Sequence, residues 1–219
     1  EAAKKESCKV VHISTSEVYG TAQYSPIDEL HRYYGQSPYA ASKIAADQLC
    51  LSYHCSFEMP VCVIRPFNTF GPRQSLRAVI PTIITQLLIE KSLKLGSTNT
   101  SRDFTYVEDT VAGICSTLNC LGNEDVFNAN PINLGTGKTY TIKECIETVS
   151  RLLNISLPSI ECDEKRIRPG KSEVGLLISN NQKANSLLGW SPKIELEEGL
   201  RRTIEYYKRN QASSTKYVK

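Results

Sequence analysis

Apolar residues along this chain gather in short β-branched runs that alternate with longer segments of helical spacing, and glycine, proline and asparagine punctuate the joins. The runs predict strands at 10–15 and 61–67, a short one in LKLG at 93–96, and one that ends in INLGTG at 132–137. Between the first two, a loop carrying Pro26, Gly35 and Pro38 leads into a helix through YAASKIAADQLCLSYHCSF, residues 39–57. Helical spacing returns near 79–90, over 107–121, and near 141–153, 180–188 and 196–209, with Gly189 and Pro192 as a stop for the fourth of these. The opening EAAKKESCK reads as the end of a helix, so the chain is expected to begin inside a fold.

Strands of Val and Ile separated by helices predict an α/β fold with a parallel sheet covered on both faces, a doubly wound domain. In such sheets ligands bind outside the carboxyl ends of the strands. The first strand runs into Ser14, Thr15, Ser16 and Glu17, which places a polar cluster with an acid at that rim. Taken alone, the cluster reads equally well as a helix cap or turn.

Composition removes several function classes. Lys and Arg number 26 against 23 Asp and Glu, and the net charge of +3 is spread without a basic run, so no nucleic-acid footprint is expected. The most apolar window, AVIPTIITQLLI, is interrupted by Pro81, Thr82, Thr85 and Gln86 and is too short to cross a bilayer. None of the 8 cysteines forms a CxxC pair and most lie in apolar segments, so they read as free thiols of a reducing, cytoplasmic compartment. His12, His31 and His54 are scattered, and no metal site is expected.

The segment SPYAASK changes the picture. Ser37 suits an N-cap, Pro38 suits the first helical position, and Tyr39 and Lys43 stand one helical turn apart on one face. An ammonium beside a phenol stabilises the phenolate, which makes Tyr39 a usable base near neutral pH. By itself YxxxK is a common solvated helix face. It gains weight after a strand end bearing Ser, Thr and Glu, and before a strand that runs into Asn68 and GPR.

ISTSEVYG, SPYAASK, RPFNTFGPRQ, RDFTYVED, INLGTG and LGWSP together resemble successive landmarks of the extended short-chain dehydrogenase/reductase superfamily, in its branch of nucleotide-sugar 4,6-dehydratases. RPFNTFGPRQSLRAVIPTIITQ looks most like the dehydratases acting on nucleotide-linked N-acetylglucosamine in legionaminic-acid-type pathways. The resemblance implies NAD as cofactor, a nucleotide-sugar substrate, and a homodimer in the full-length form. It implies a remainder of the Rossmann domain in residues 1–75 and 104–138, and a smaller substrate-binding domain in 76–103 and 139–219. The family's opening strand and GxxGxxG turn have no counterpart in this sequence, so about a hundred residues are expected to precede Glu1. GTGKT at 135–139 is no substitute, because a P-loop needs a glycine where Ile132 stands.

Residue by residue, the resemblance implies that Tyr39, activated by Lys43, takes the proton from the sugar's carbon 4 hydroxyl, which Thr15 orients. Glu17 then removes the carbon 5 proton so that water leaves from carbon 6. Ser14, Tyr39, Lys43, Pro66 and Asn68 would line the cofactor, and Ser16, Asn68, Arg102 and Arg168 the substrate, the arginines pairing with its pyrophosphate. Asp109 reads as a structural acid at a helix start, and Tyr106 as core or pocket wall. UDP-glucuronate decarboxylases and epimerases of the same superfamily share much of this pattern, and an inactive truncated remnant is the non-enzymatic alternative.

Overall fold

The computed structural model describes residues 1–90, 92–164, 170 and 174–214. In chain order its elements are α1 (Ala2–Lys5), β1 (Val10–Ile13), a 3-10 turn (Ser16–Tyr19), α2 (Pro38–Phe57), β2 (Val61–Pro66), β3 (Asn68–Phe70), α3 (Val79–Ile89), β4 (Ser92–Leu95), β5 (Ser101–Arg102) and β6 (Phe104–Tyr106). They continue with α4 (Val107–Ser116), a second 3-10 turn (Thr117–Cys120), β7 (Asn128–Leu134), β8 (Tyr140–Thr141), α5 (Ile142–Leu153), β9 (Ser159–Cys162), β10 (Leu176–Leu177), α6 (Gln182–Leu188) and α7 (Leu196–Ser214).

β1, β2 and β7 form a parallel sheet in that order, with Val10 opposite Val61 and Ile64 opposite Ile132. β2 is the middle strand and is buried at every position except Pro66, as a run of apolar residues covered on both faces must be. Arg65, 1% exposed, is the one charge in it. Cys62, Ile64, Ile132 and Leu134 pack on one side with Val126, Phe127, Ala184, Leu188 and Trp190, so α6 joins the core of this sheet.

A separate core gathers α3, α5 and α7 around Ile80, Ile83, Leu93, Phe104, Tyr106, Ile146, Val149, Leu200 and Ile204. α5 starts in a capping box: Glu144 N–H donates to Thr141 Oγ1 at 3.1 Å while Thr141 N–H donates to Glu144 Oε2 at 2.7 Å. The predicted helix over 107–121 is α for its first ten residues and then tightens. Ser116 and Thr117 hydroxyls donate to the carbonyls of Ala112 and Ile114 at 2.8 and 2.7 Å, competing with the helix ladder at that point. The last helix runs five residues past its expected end at 209, to Ser214.

All eight cysteines are free. Burial pushes the thiols of Cys62 and Cys145 up to about 12, so both behave as small apolar side chains.

Candidate active site

The carboxyl end of β1 is the first component. Ser14 N–H donates to Ile64 O at 2.7 Å, which carries the strand ladder one residue past β1, and Thr15 then turns the chain into the 3-10 turn. Thr15 is extended, and its Oγ1 accepts from Glu17 N at 3.2 Å, so it does cap this turn. The same cap leaves Glu17 in the first turn, half-buried, where its carboxylate has no hydrogen-bond or ion-pair partner among the described residues. Ser14 and Ser16 are 5% and 2% exposed, so Thr15 and Glu17 are the members of the cluster with surface to offer a ligand.

The second component is the first turn of α2. Ser37 Oγ accepts from Ala40 N at 3.1 Å, and Pro38 occupies the first helical position, as the sequence predicts. Lys43 Nζ donates to Ile13 O at 3.0 Å, which holds the Tyr39–Lys43 face against the end of β1, two residues before Thr15. Tyr39 is 53% exposed and its hydroxyl has no partner among the described residues. The structure thus brings an exposed phenol, an anchored ammonium and an unpaired carboxylate to one strand end.

The third component follows β2. Phe67 N–H donates to Leu134 O at 2.8 Å and Asn68 N–H to Asp103 O at 3.0 Å, so Asn68 lies beside the segment carrying Arg102. Asn68 Oδ1 is enclosed without a hydrogen-bond partner. Arg102, 9% exposed, donates from Nη1 to the carbonyls of Ser101 and Gly175 at 3.0 and 3.3 Å. Arg168 lies outside the described residues. Asp109 is structural: its Oδ2 accepts from Lys193 N and Ile194 N at 3.0 and 2.9 Å, and its carbonyl from Trp190 Nε1 at 2.9 Å. Tyr106, 2% exposed, belongs to the core.

Two buried aspartates escape a reading by motif. Asp47 stands one turn beyond Lys43 on α2 and takes Arg65 Nε and Nη2 on its Oδ2 at 3.1 and 2.9 Å, with His12 Nε2 3.2 Å from Oδ1. Burial pushes its carboxyl up, but the His12 and Ser14 side chains and the Arg65 charge outweigh that and hold it below the usual aspartate range. Asp103 is fully buried, and its carboxylate accepts from Thr136 N and Oγ1 at 2.8 and 2.7 Å, Gly137 N at 2.9 Å and Ser179 N at 3.1 Å. Its pKa is raised, because burial outweighs those neutral donors. A charge inside the apolar run VCVIRP, and an acid four residues after Lys43, are the signals that could have found the first of these.

With this geometry in view, comparison with known proteins is decisive. Residues 1–203 match the family model described as GDP-mannose 4,6 dehydratase. The chain belongs to that family. It is 33% identical to a UDP-glucuronate 4-epimerase of Thermodesulfobacterium geofontis, over 92% of this chain and 60% of that protein. It is also 33% identical to UDP-glucuronic acid decarboxylase 1 of Danio rerio, over 94% of this chain and 49% of the relative. Among solved structures, dTDP-glucose 4,6-dehydratase from Bacillus anthracis in complex with NAD superposes with a TM-score of 0.84 at 28% identity, covering 96% of this chain and 65% of that one. The chain therefore spans about half to two thirds of the length of these relatives. Its fold is the α/β, parallel-sheet Rossmann type of that NAD-complexed dehydratase.

Proposed function

We propose that the full-length protein is an NAD-dependent nucleotide-sugar 4,6-dehydratase acting on a nucleotide-linked N-acetylglucosamine. The observation that carries this reading is Glu17: a half-buried carboxylate left unpaired among the described residues, at the strand end against which Lys43 is anchored. An epimerase needs oxidation at carbon 4 but no elimination. A dehydratase needs a further acid and base at carbons 5 and 6, and we assign that role to Glu17.

The residues present fit the nicotinamide end of the cofactor: among the described residues the Tyr39 hydroxyl has no partner, Lys43 is fixed, and Asn68 keeps an enclosed, unpartnered oxygen. Ser14, Tyr39, Lys43, Pro66 and Asn68 would hold that end, and NAD when bound supplies the hydride acceptor and donor. Tyr39 takes the proton of the carbon 4 hydroxyl, with the Lys43 ammonium stabilising the phenolate. Thr15, whose hydroxyl oxygen caps the turn, orients that hydroxyl with its own O–H. Once carbon 4 is a ketone the carbon 5 proton is acidic, and Glu17 removes it. Ser16 is no acid, so the same Glu17 returns a proton to the hydroxyl leaving carbon 6. Asn68, Arg102 and Arg168 would bind the substrate's pyrophosphate. The reading also carries a cytoplasmic homodimer, for which the exposed Leu49 and Leu51 on α2 offer apolar surface.

Mass spectrometry of the full-length enzyme with UDP-N-acetylglucosamine should show loss of one water without net NAD consumption. Glu17→Gln should slow release of product by about 10²- to 10⁴-fold while still giving an NADH absorbance burst, and Tyr39→Phe should give no burst. A Glu17→Gln enzyme that turns over at the parental rate sinks the assignment. The second reading is UDP-glucuronate decarboxylase, favoured by the decarboxylase relative. It predicts carbon dioxide release from UDP-glucuronate instead.

A further inference from the structure

Arg65 lies in the most buried strand of the sheet, and its neighbours belong to the turn after β1, the loop that follows it and α2. Nη1 donates to the Tyr19 hydroxyl at 2.8 Å, and that hydroxyl donates in turn to Asn133 Oδ1 at 2.7 Å. Nε and Nη2 donate to Asp47, and Nη2 also to the Tyr33 hydroxyl. The cation stands 4.8 and 4.7 Å from the ring centroids of Tyr19 and Tyr33. Tyr19 ends the turn that Thr15 caps and that carries Glu17. Asp47 shares a face of α2 with Tyr39 and Lys43, at successive turns. Pro66 follows Arg65 directly, and Asn68 is two residues further on.

A buried ion pair is a poor source of stability, since well-packed apolar residues of similar volume commonly do as well. What a guanidinium offers that no apolar side chain can is a planar set of donors whose directions are fixed relative to one another. Here those directions point at the Glu17 turn and at the Tyr39 helix.

We infer that Arg65 is a positioning residue for the reaction proposed above: through Tyr19 and Asp47 it sets the place of the Glu17 turn relative to the helix bearing Tyr39 and Lys43. The inference rests on the dehydratase reading. Tyr19 and Asp47 act with Arg65 as its two arms, and none of the three touches the reacting atoms.

Tyr19→Phe cuts one arm, keeps the ring, and is the test in the full-length enzyme. Hydrogen exchange at the Glu17, Val18 and Gly20 amides, which bond within or onto the turn, should quicken by about tenfold or more, with α5 amides unchanged. In turnover, kcat should fall about 10- to 100-fold with KM nearly unchanged. The NADH burst should keep its amplitude per folded enzyme but decay more slowly, because oxidation by Tyr39 survives and elimination by Glu17 is misplaced. Arg65→Lys should show the same split, and the double variant should be no worse than the worse single. Unchanged exchange at the turn overturns the inference. So does a burst amplitude that falls in step with kcat, which is the mark of lost folded protein alone. If the parent removes no water from any nucleotide sugar, the functional reading fails, and the exchange arm still decides whether Tyr19 holds the turn.

Discussion

Asp47, beneath the ends of β1 and β2, and Asp103, where β5 meets the loop after β7, are 3% and 0% exposed, yet the molecule satisfies them by opposite means. Asp47 faces a cation, Arg65, and an imidazole, His12. Among the described residues Asp103 takes only neutral donors, three of them backbone N–H groups of the 136–137 loop and Ser179. The His12 and Ser14 side chains, and after them the Arg65 charge, hold the first carboxyl below its ordinary range. The second, solvated by dipoles alone, rises above it. The first cluster ties side chains together between the turn that carries Glu17 and the helix that carries Tyr39. The second ties backbone to backbone, shaping a loop.

The sharpest way to break this comparison is Asp47→Asn. It leaves the Arg65 cation buried with no counter-charge, and removing one partner of such a pair costs about 3–5 kcal/mol. Urea unfolding at neutral pH should show that loss. Asp103→Asn should cost less, about 1–3 kcal/mol, because it strands neutral N–H donors and no ion. Equal losses would mean that charge pairing is not what separates the two sites.

The pH dependence of these losses should run in opposite directions. A folded pKa held down makes a contribution that is present above the ordinary aspartate value of about 3.9 and is lost as pH falls through the depressed value. The gap between parent and Asp47→Asn should therefore narrow in acid. A folded pKa pushed up contributes fully below the ordinary value and loses that contribution as pH rises through the raised one. The gap between parent and Asp103→Asn should narrow toward neutral pH. Unfolding curves across about pH 3 to 7 decide it, and two gaps of the same slope would refute the assignment of opposite shifts.

What the sequence made legible follows from the same contrast. Periodicity located β1, β2, β7 and all the longer helices, because each buries an apolar face that repeats along the chain. It could not locate β5, β8 or β10, two residues each, whose pairing is a property of where the chain has already been brought. The strand-end cluster and the Tyr39–Lys43 pair were legible because their chemistry is local in sequence. Arg65, Asp47 and Tyr19 were not, since residues 18 and 46 positions apart meet only once the sheet has formed. Asp103 hid for a further reason: three of its four donors are backbone groups, which every residue carries and no motif records.

The smallest expected effect bears on whether the Asp103 region uses charge at all. Thr136, clamped by Asp103, accepts from Lys138 N at 3.1 Å, and Lys138 Nζ reaches Glu195 Oε1 and Oε2 at 2.6 and 2.8 Å. On distance alone this pair looks as strong as Arg65 with Asp47. Its side chains, however, are 55% and 67% exposed, so water screens the attraction and the pair must give up side-chain freedom to keep its geometry. The Lys138 pKa is raised by the hydrogen bond to Glu195, but at a solvated site that reports a local preference rather than a hold on the fold. Glu195→Gln should therefore leave the unfolding midpoint where it was, at low and at high ionic strength alike. A clear loss at low salt that vanishes at high salt would show that the 136–138 loop is fastened by charge after all, and the contrast between the two aspartates would then be one of degree.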